Sequence, residues 1–135
     1  MKIARLLAVL ALSLFPLACA SSDMDEDEMA TVGGSISYTE RIALGADAVA
    51  HVRIVDLDLV DKPGYLVAQK AINSPGQVPI EFELTYWMES VESGHSYALQ
   101  ARIEEGGTVL FTTAEDVKFD AKQPVRQELI LKRAE

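Results

Sequence analysis

Asp56, Asp58 and Asp61 crowd the end of one apolar run, with Leu57 and Leu59 set between them. Set among these leucines, Asp56, Asp58 and Asp61 could gather carboxylates on one face for a cation. The same run leads into a Pro63-Gly64 turn, where a solvated acidic face is the expected outcome, and no metal is assigned to it. Ser93, His95 and Ser96 put hydroxyls beside an imidazole, but they share one turn around Gly94 and their spacing supplies no orienting acid. The chain has no Gly-x-Ser-x-Gly elbow, no phosphate-cradling glycine loop and no pair of histidines four residues apart. A hydrolase would need His51 or His95 to meet carboxylates in a cleft. With a single cysteine, Cys19, neither a Cys/His zinc cage nor an internal disulfide can be assembled. The expectation is a non-enzymatic protein with no catalytic residue, no cofactor and no metal. Tyr86-Trp87-Met88, two large aromatics and a flexible thioether, stands out as a candidate partner groove; a plug at the end of the core is the commoner use of such residues.

The elements around these residues read as strands. Val78, Ile80, Phe82 and Leu84 alternate with Pro79, Glu81, Glu83 and Thr85, and Tyr97, Leu99, Ala101 and Ile103 alternate with Ala98, Gln100 and Arg102. That two-residue period predicts one face in the core and one in water. A last strand would turn Val125, Leu129 and Leu131 inward, leaving Ile130 on the wet face as a candidate contact with another surface. Further strands are expected near residues 35–40, 48–57, 65–72 and 108–112. Pro63-Gly64 and Pro75-Gly76 suit type II turns, and Gly106-Gly107 suits a tight hairpin. Seven short strands in roughly 100 residues, without a long amphipathic helix, predict an all-β, two-sheet antiparallel β-sandwich over residues 33–135.

The first residues are an address. Lys2 and Arg5 precede the apolar run from Leu6 to Leu17, and Ala18, Cys19 and Ala20 follow, in the order of a secretory signal peptide. The run is 12 residues long, too short for the roughly 20 a membrane helix needs. Leu14-Phe15-Pro16-Leu17-Ala18-Cys19 resembles a bacterial lipobox, in which the cysteine is lipidated and becomes the new N-terminus. Ala18-Cys19-Ala20 also satisfies ordinary cleavage before Ser21, which would leave a soluble periplasmic protein. On the first reading residues 1–18 are a lipoprotein signal peptide, and residues 19–32 are a lipidated cysteine with an acidic linker. Asp23, Asp25, Glu26, Asp27 and Glu28 make that linker solvated and self-repelling, a stalk rather than a calcium loop. Without residues 1–18 the chain carries 10 basic and 21 acidic residues, a net charge of −11, which disfavours nucleic acid as a partner.

Four blocks in order carry a family resemblance: Tyr38-Thr39-Glu40-Arg41-Ile42-Ala43-Leu44, Asn73-Ser74-Pro75-Gly76-Gln77-Val78-Pro79-Ile80-Glu81-Phe82-Glu83-Leu84, Tyr97-Ala98-Leu99-Gln100-Ala101-Arg102-Ile103 and Leu110-Phe111-Thr112-Thr113. Together they resemble the YbaY family of lipoproteins, related to the YscW-type pilotins of type III secretion. The resemblance implies a β-sandwich lipoprotein of the cell envelope with Cys19 as the lipid attachment point; the residue after it is Ala20 rather than aspartate, which resembles the enteric-type pattern sorted to the outer membrane, with the domain expected in the periplasm. The pilotin branch escorts secretin subunits, which implies a binding or chaperone-like role towards another envelope protein. The alternative is a structural or stress-related envelope protein that binds cell-surface polysaccharide, with Tyr86 and Trp87 stacking on sugar rings. The lipid expectation is checked by intact mass. Protein purified from membranes should begin at Cys19 and carry a diacyl or triacyl increment that Cys19→Ala abolishes, whereas an unmodified N-terminus at Ser21 would refute the anchor.

Overall fold

The computed structural model describes residues 28–135; the signal segment, Cys19 and the acidic stretch through Asp27 lie outside them. Eight strands follow one another as β1 (Met29–Tyr38), β2 (Ala48–Asp56), β3 (Leu66–Asn73), β4 (Ile80–Trp87), β5 (Tyr97–Glu105), β6 (Thr108–Thr113), β7 (Val117–Phe119) and β8 (Gln127–Arg133). The only helical pieces among the described residues are two three-residue 3-10 turns, Leu57–Leu59 and Met88–Ser90.

The all-β expectation holds, but the division into two sheets does not describe the pairing. One hydrogen-bonded path runs β3-β2-β5-β6-β8-β1-β4, with β7 also on β5, and it curls towards a barrel. β6 and β7 share one edge of β5, β6 against Arg102 to Glu105 and β7 against Tyr97 to Leu99. Nor is the sheet wholly antiparallel, since β1 lies parallel to β8, from Gly34 opposite Gln127 to Tyr38 opposite Leu131. Parallel neighbours need a long connection, here nearly the whole domain, and no local pattern announces one. Three further differences are local. β1 begins at Met29, inside the stretch expected as linker; β7 has too few residues for its alternation to be read; and Val125 is exposed ahead of β8 instead of facing inward.

The two-residue period places the core as expected. Ile80, Phe82, Leu84 and Tyr86 point inward from β4 while Glu81, Glu83 and Thr85 stay out, and Leu99, Ala101 and Ile103 are buried on β5. Tyr38 stacks on Phe111 with ring centroids 4.0 Å apart, joining β1 to β6 across the interior. The β5–β6 hairpin turns on Gly106 and Gly107 at φ 58° and 82°, the positive pair a two-residue type I′ turn requires.

The parallel seam is the tightest backbone approach. A Cβ built on Gly34 would lie 1.8 Å from the carbonyl oxygen of Gln127, whereas one on the adjacent Gly33 would meet nothing nearer than 3.4 Å. Gly34→Ala is therefore expected to cost more than about 2 kcal/mol in urea unfolding, because backbone must move, while Gly33→Ala should stay within about 1 kcal/mol. Equal effects at the two positions would contradict this account of the seam.

Candidate functional site

Backbone parity decides which strand edges can take another chain. In an antiparallel ladder, alternate residues turn their N–H and C=O to one neighbour and the residues between them to the other. Ser74 N–H donates to the Ala48 carbonyl at 3.0 Å and Leu57 N–H to Ser96 at 2.8 Å, so even residues of β2 bond β3 and odd ones bond β5. By the same parity Gln69, Ala71 and Asn73 turn their backbone groups to the outer edge of β3. Met88 N–H donates to Glu28 at 2.8 Å, which fixes the β1–β4 ladder and leaves Glu81, Glu83, Thr85 and Trp87 facing the outer edge of β4. These two edges are the ends of the sheet path, and among the described residues no backbone ladder joins them. A single bridge crosses: Lys70, on the face of β3 that Val52 shares on β2, donates from Nζ to the freed Glu83 carbonyl at 3.3 Å. A cleft of about 470 Å³ lies there, lined by Gly33, Lys70, Ala71, Ile72, Glu81, Phe82, Glu83 and Arg126. Arg126 holds Glu81 through both carboxylate oxygens, at 2.9 and 2.8 Å, on the rim.

Tyr86, Trp87 and Met88 do not form one surface. Strand alternation sends Tyr86 into the core, where its hydroxyl donates to the Ala121 carbonyl at 2.6 Å and its ring meets Phe119 edge-on at 6.4 Å. Burial, with Asp120 nearby, pushes its pKa up to about 12. Trp87 points the other way and is exposed, opposite exposed Met29 at the mouth of β1, and Met88 is partly buried against the core. Tyr86 is thus unavailable for stacking on a sugar ring.

The acidic residues near the end of β2 divide as well. Asp56 is buried and Asp58 is exposed, and together with His95 they place three ligand-type atoms within 4.8 Å of one another. Each of those groups already has a protein partner. One Asp56 oxygen accepts Asp58 N–H at 2.9 Å and the other meets His95 Nδ1 at 2.6 Å; Asp58 accepts Ser96 N–H at 2.6 Å; Glu92 lies 3.2 Å from His95 Nε2. Asp56 hydrogen-bonds one ring nitrogen of His95 and Glu92 stands beside the other, an acidic surround that favours the protonated ring. The hydrogen bond to Asp56 chiefly raises its pKa, with Glu92 and Asp58 adding to it and desolvation opposing. Asp61 takes no part; it holds a turn at φ 61°. Ser93 accepts a hydrogen bond from Lys122 Nζ at 2.6 Å, and Ser96 enters through its backbone, so neither hydroxyl is presented to the imidazole as a nucleophile. The arrangement ties the loop before β5 to the end of β2. His51, at the other expected position, pairs with Glu104 at 2.6 Å.

Among the described residues the domain is a curled β-sheet with two unpaired edges and polar clusters that satisfy one another internally. The chain belongs to the family described as the type III secretion system lipoprotein chaperone (YscW), which it matches over residues 27–131. It is 28% identical over 144 residues to the lipoprotein YbaY of Escherichia coli (strain K12), covering 93% of this chain and 73% of that one. Its fold is similar to that of an alternative pilotin from the type II secretion system of Vibrio cholerae, with TM-score 0.72 and 31% identity over 80% of this chain and 99% of the other. These relatives are a lipoprotein and a secretion-system pilotin. No helix among the described residues is long and apolar enough to cross a membrane.

The raised pKa of His95 makes stability depend on pH with a definite sign. A histidine whose folded pKa is raised stabilises the fold fully below its unfolded value of about 6.5 and loses that contribution as pH rises through the folded pKa. The stability gap between the parent and His95→Gln should therefore be widest at pH 6 and narrow by pH 9 in urea titrations. A gap independent of pH would mean that His95 is neutral in the fold.

Proposed function

We propose that this chain is a lipid-anchored, chaperone-like escort for another protein of the cell envelope, one of secretin type. It grips an extended segment of that partner on the outer edge of β4 or β3. The observation that carries this reading is the pair of unpaired edges, whose outward amides and carbonyls at Glu81, Glu83, Thr85 and at Gln69, Ala71 are a template for an added strand. Membership of a secretion-chaperone family and likeness to a secretion pilotin support it. Lipidation at Cys19, an outer-membrane location and a periplasm-facing domain complete the proposal: a tethered escort keeps its cargo at the membrane where it must assemble. Nine residues, 20–28, lie between Cys19 and β1, enough to lift the domain as much as roughly 30 Å from the bilayer. Polysaccharide binding loses support, because only Trp87 of the two aromatics is exposed.

Proline substitutions separate strand addition from general stickiness. At position 83 or 71 the lost N–H is one that points away from the sheet, so Glu83→Pro and Ala71→Pro should fold, with the internal ladders intact. Copurification from detergent-solubilised envelopes should recover a recurrent outer-membrane secretion protein with the parent chain. One of the two variants should reduce that recovery about tenfold or more, and hydrogen exchange on the complex should protect the amides of the matching edge. Equal recovery with both variants would overturn edge capture.

A further inference from the structure

On a chain whose net charge is −9, the outer face beside the β3 edge brings two arginines, Arg53 and Arg102, into one groove. A groove of about 1020 Å³ crosses the outer face of β3, β2, β5 and β6 and is walled by Ala114, Glu115 and Asp116 of the β6–β7 connection. Register sets its floor in two rows, Gln69, Arg53 and Gln100 in one, His51, Arg102 and Thr112 in the next. Arg53 and Arg102 are diagonal neighbours on adjacent strands, about 7–8 Å apart at the backbone and within joint reach of one small group.

Arg53 is held as if for a ligand. Its Nε donates to Gln100 Oε1 at 2.7 Å, and Gln100 Nε2 in turn donates to Asp116 Oδ1 at 2.6 Å. Its guanidinium carbon lies 5.9 Å from the centre of the Tyr65 ring. This relay and the ring consume one of five N–H donors and fix the plane; among the described residues, no carboxylate lies within salt-bridge distance of the remaining fork. Arg102 is scarcely more engaged: its Nε stands 3.9 Å from Glu104, whose other oxygen is taken by His51 at 2.6 Å. A positioned guanidinium with no carboxylate on its fork, beside a loosely paired one and with amide, hydroxyl and imidazole groups on the same floor, has the geometry that receives a carboxylate bidentately.

We infer that the Arg53–Arg102 groove binds carboxylate side chains of an acidic peptide segment. Glu104, Glu115 and Asp116 border it, so the charge balance suits one or two carboxylates and opposes a densely charged polyanion. Gln69, Gln100, Thr112 and Thr113 offer donors and acceptors to the peptide backbone between them. The site lies apart from the β4 edge and borders the β3 edge at Gln69 and Ala71; it does not depend on strand capture at β4.

The experiment is a ¹⁵N NMR titration of the folded domain, reading backbone amides and arginine Nε resonances. The probes are a blocked pentapeptide with two glutamates, its two-glutamine counterpart, and inorganic phosphate. Saturable shifts at Arg53, Gln100 and Arg102 are expected with the diglutamate peptide and not with the diglutamine one. Binding should weaken about tenfold or more in Arg53→Gln and in Arg102→Gln, two variants that report independently if one folds poorly, and Arg53→Lys should recover it only in part. Glu83→Pro should leave the affinity unchanged, which separates this site from strand capture at the β4 edge, and loss of the arginine Nε shifts in Arg53→Gln and Arg102→Gln separates side-chain recognition from pairing on the β3 backbone. Equal shifts with the diglutamine peptide, indifference to both arginine variants, or phosphate binding as tightly as the diglutamate peptide would overturn the assignment.

Discussion

Every backbone amide and carbonyl in a sheet needs a partner on the side to which it points, and that requirement organises this domain. Six neighbour pairings use up the alternating donors and acceptors along β3-β2-β5-β6-β8-β1-β4, and the path then ends without a seventh that would close a barrel. The parallel contact between β1 and β8 brings the two halves of the chain together. It depends on glycine at position 34, where the Gln127 carbonyl occupies the space a side chain would need. With β1 committed to β8 on one side and β4 on the other, β4 becomes a terminal strand. The outward groups of Glu81, Glu83, Thr85 and Trp87 are a consequence of that commitment.

How far the sequence shows this fold depends on how local each feature is. Alternation reveals strands wherever one face is buried and the other wet, so the inward residues of β4 and β5 are legible, although Ala98, expected on the wet face, is buried and β4 begins at Ile80 rather than Val78; Gly106-Gly107 marks its hairpin by residue type alone. β7, with three residues, has too little period to detect. Val125 is apolar enough to suggest an inward position, yet it lies before β8 begins, and only Leu129 and Leu131 obey the strand's parity. The choice between two sheets and one curled sheet turns on which strands are neighbours in space. The decisive pairing, β1 with β8, joins the two ends of the domain and leaves no trace in spacing.

The candidate sites divide along the same line. Alternation already implies that Tyr86 and Trp87 face opposite ways, and treating the triplet Tyr86-Trp87-Met88 as one groove overlooks it. Asp56, Asp58 and His95 are visible in the sequence as separate signals; their union depends on residues 57 and 96 pairing across β2 and β5, which is long-range information. The free edges are hidden because an edge is a property of sheet order. Arg53 and Arg102 occupy ordinary wet positions of two amphipathic strands, and only the register makes them diagonal neighbours.

An unpaired edge is also a hazard, since it can add a second copy of the same chain, and the surroundings of β3 and β4 bear on that choice. Two copies meeting edge to edge along β4 would bring Glu81 and Glu83 of each against their counterparts, on molecules that are strongly acidic throughout. Lys70 covers the Glu83 carbonyl with a single hydrogen bond from a flexible side chain, a contact that competes with casual pairing yet yields to a strand supplying several bonds at once. Self-association is thereby opposed by charge, whereas a partner segment without acids at the matching positions meets no such repulsion. The edge can stay open because its own side chains select against the commonest wrong occupant, another molecule of the same protein.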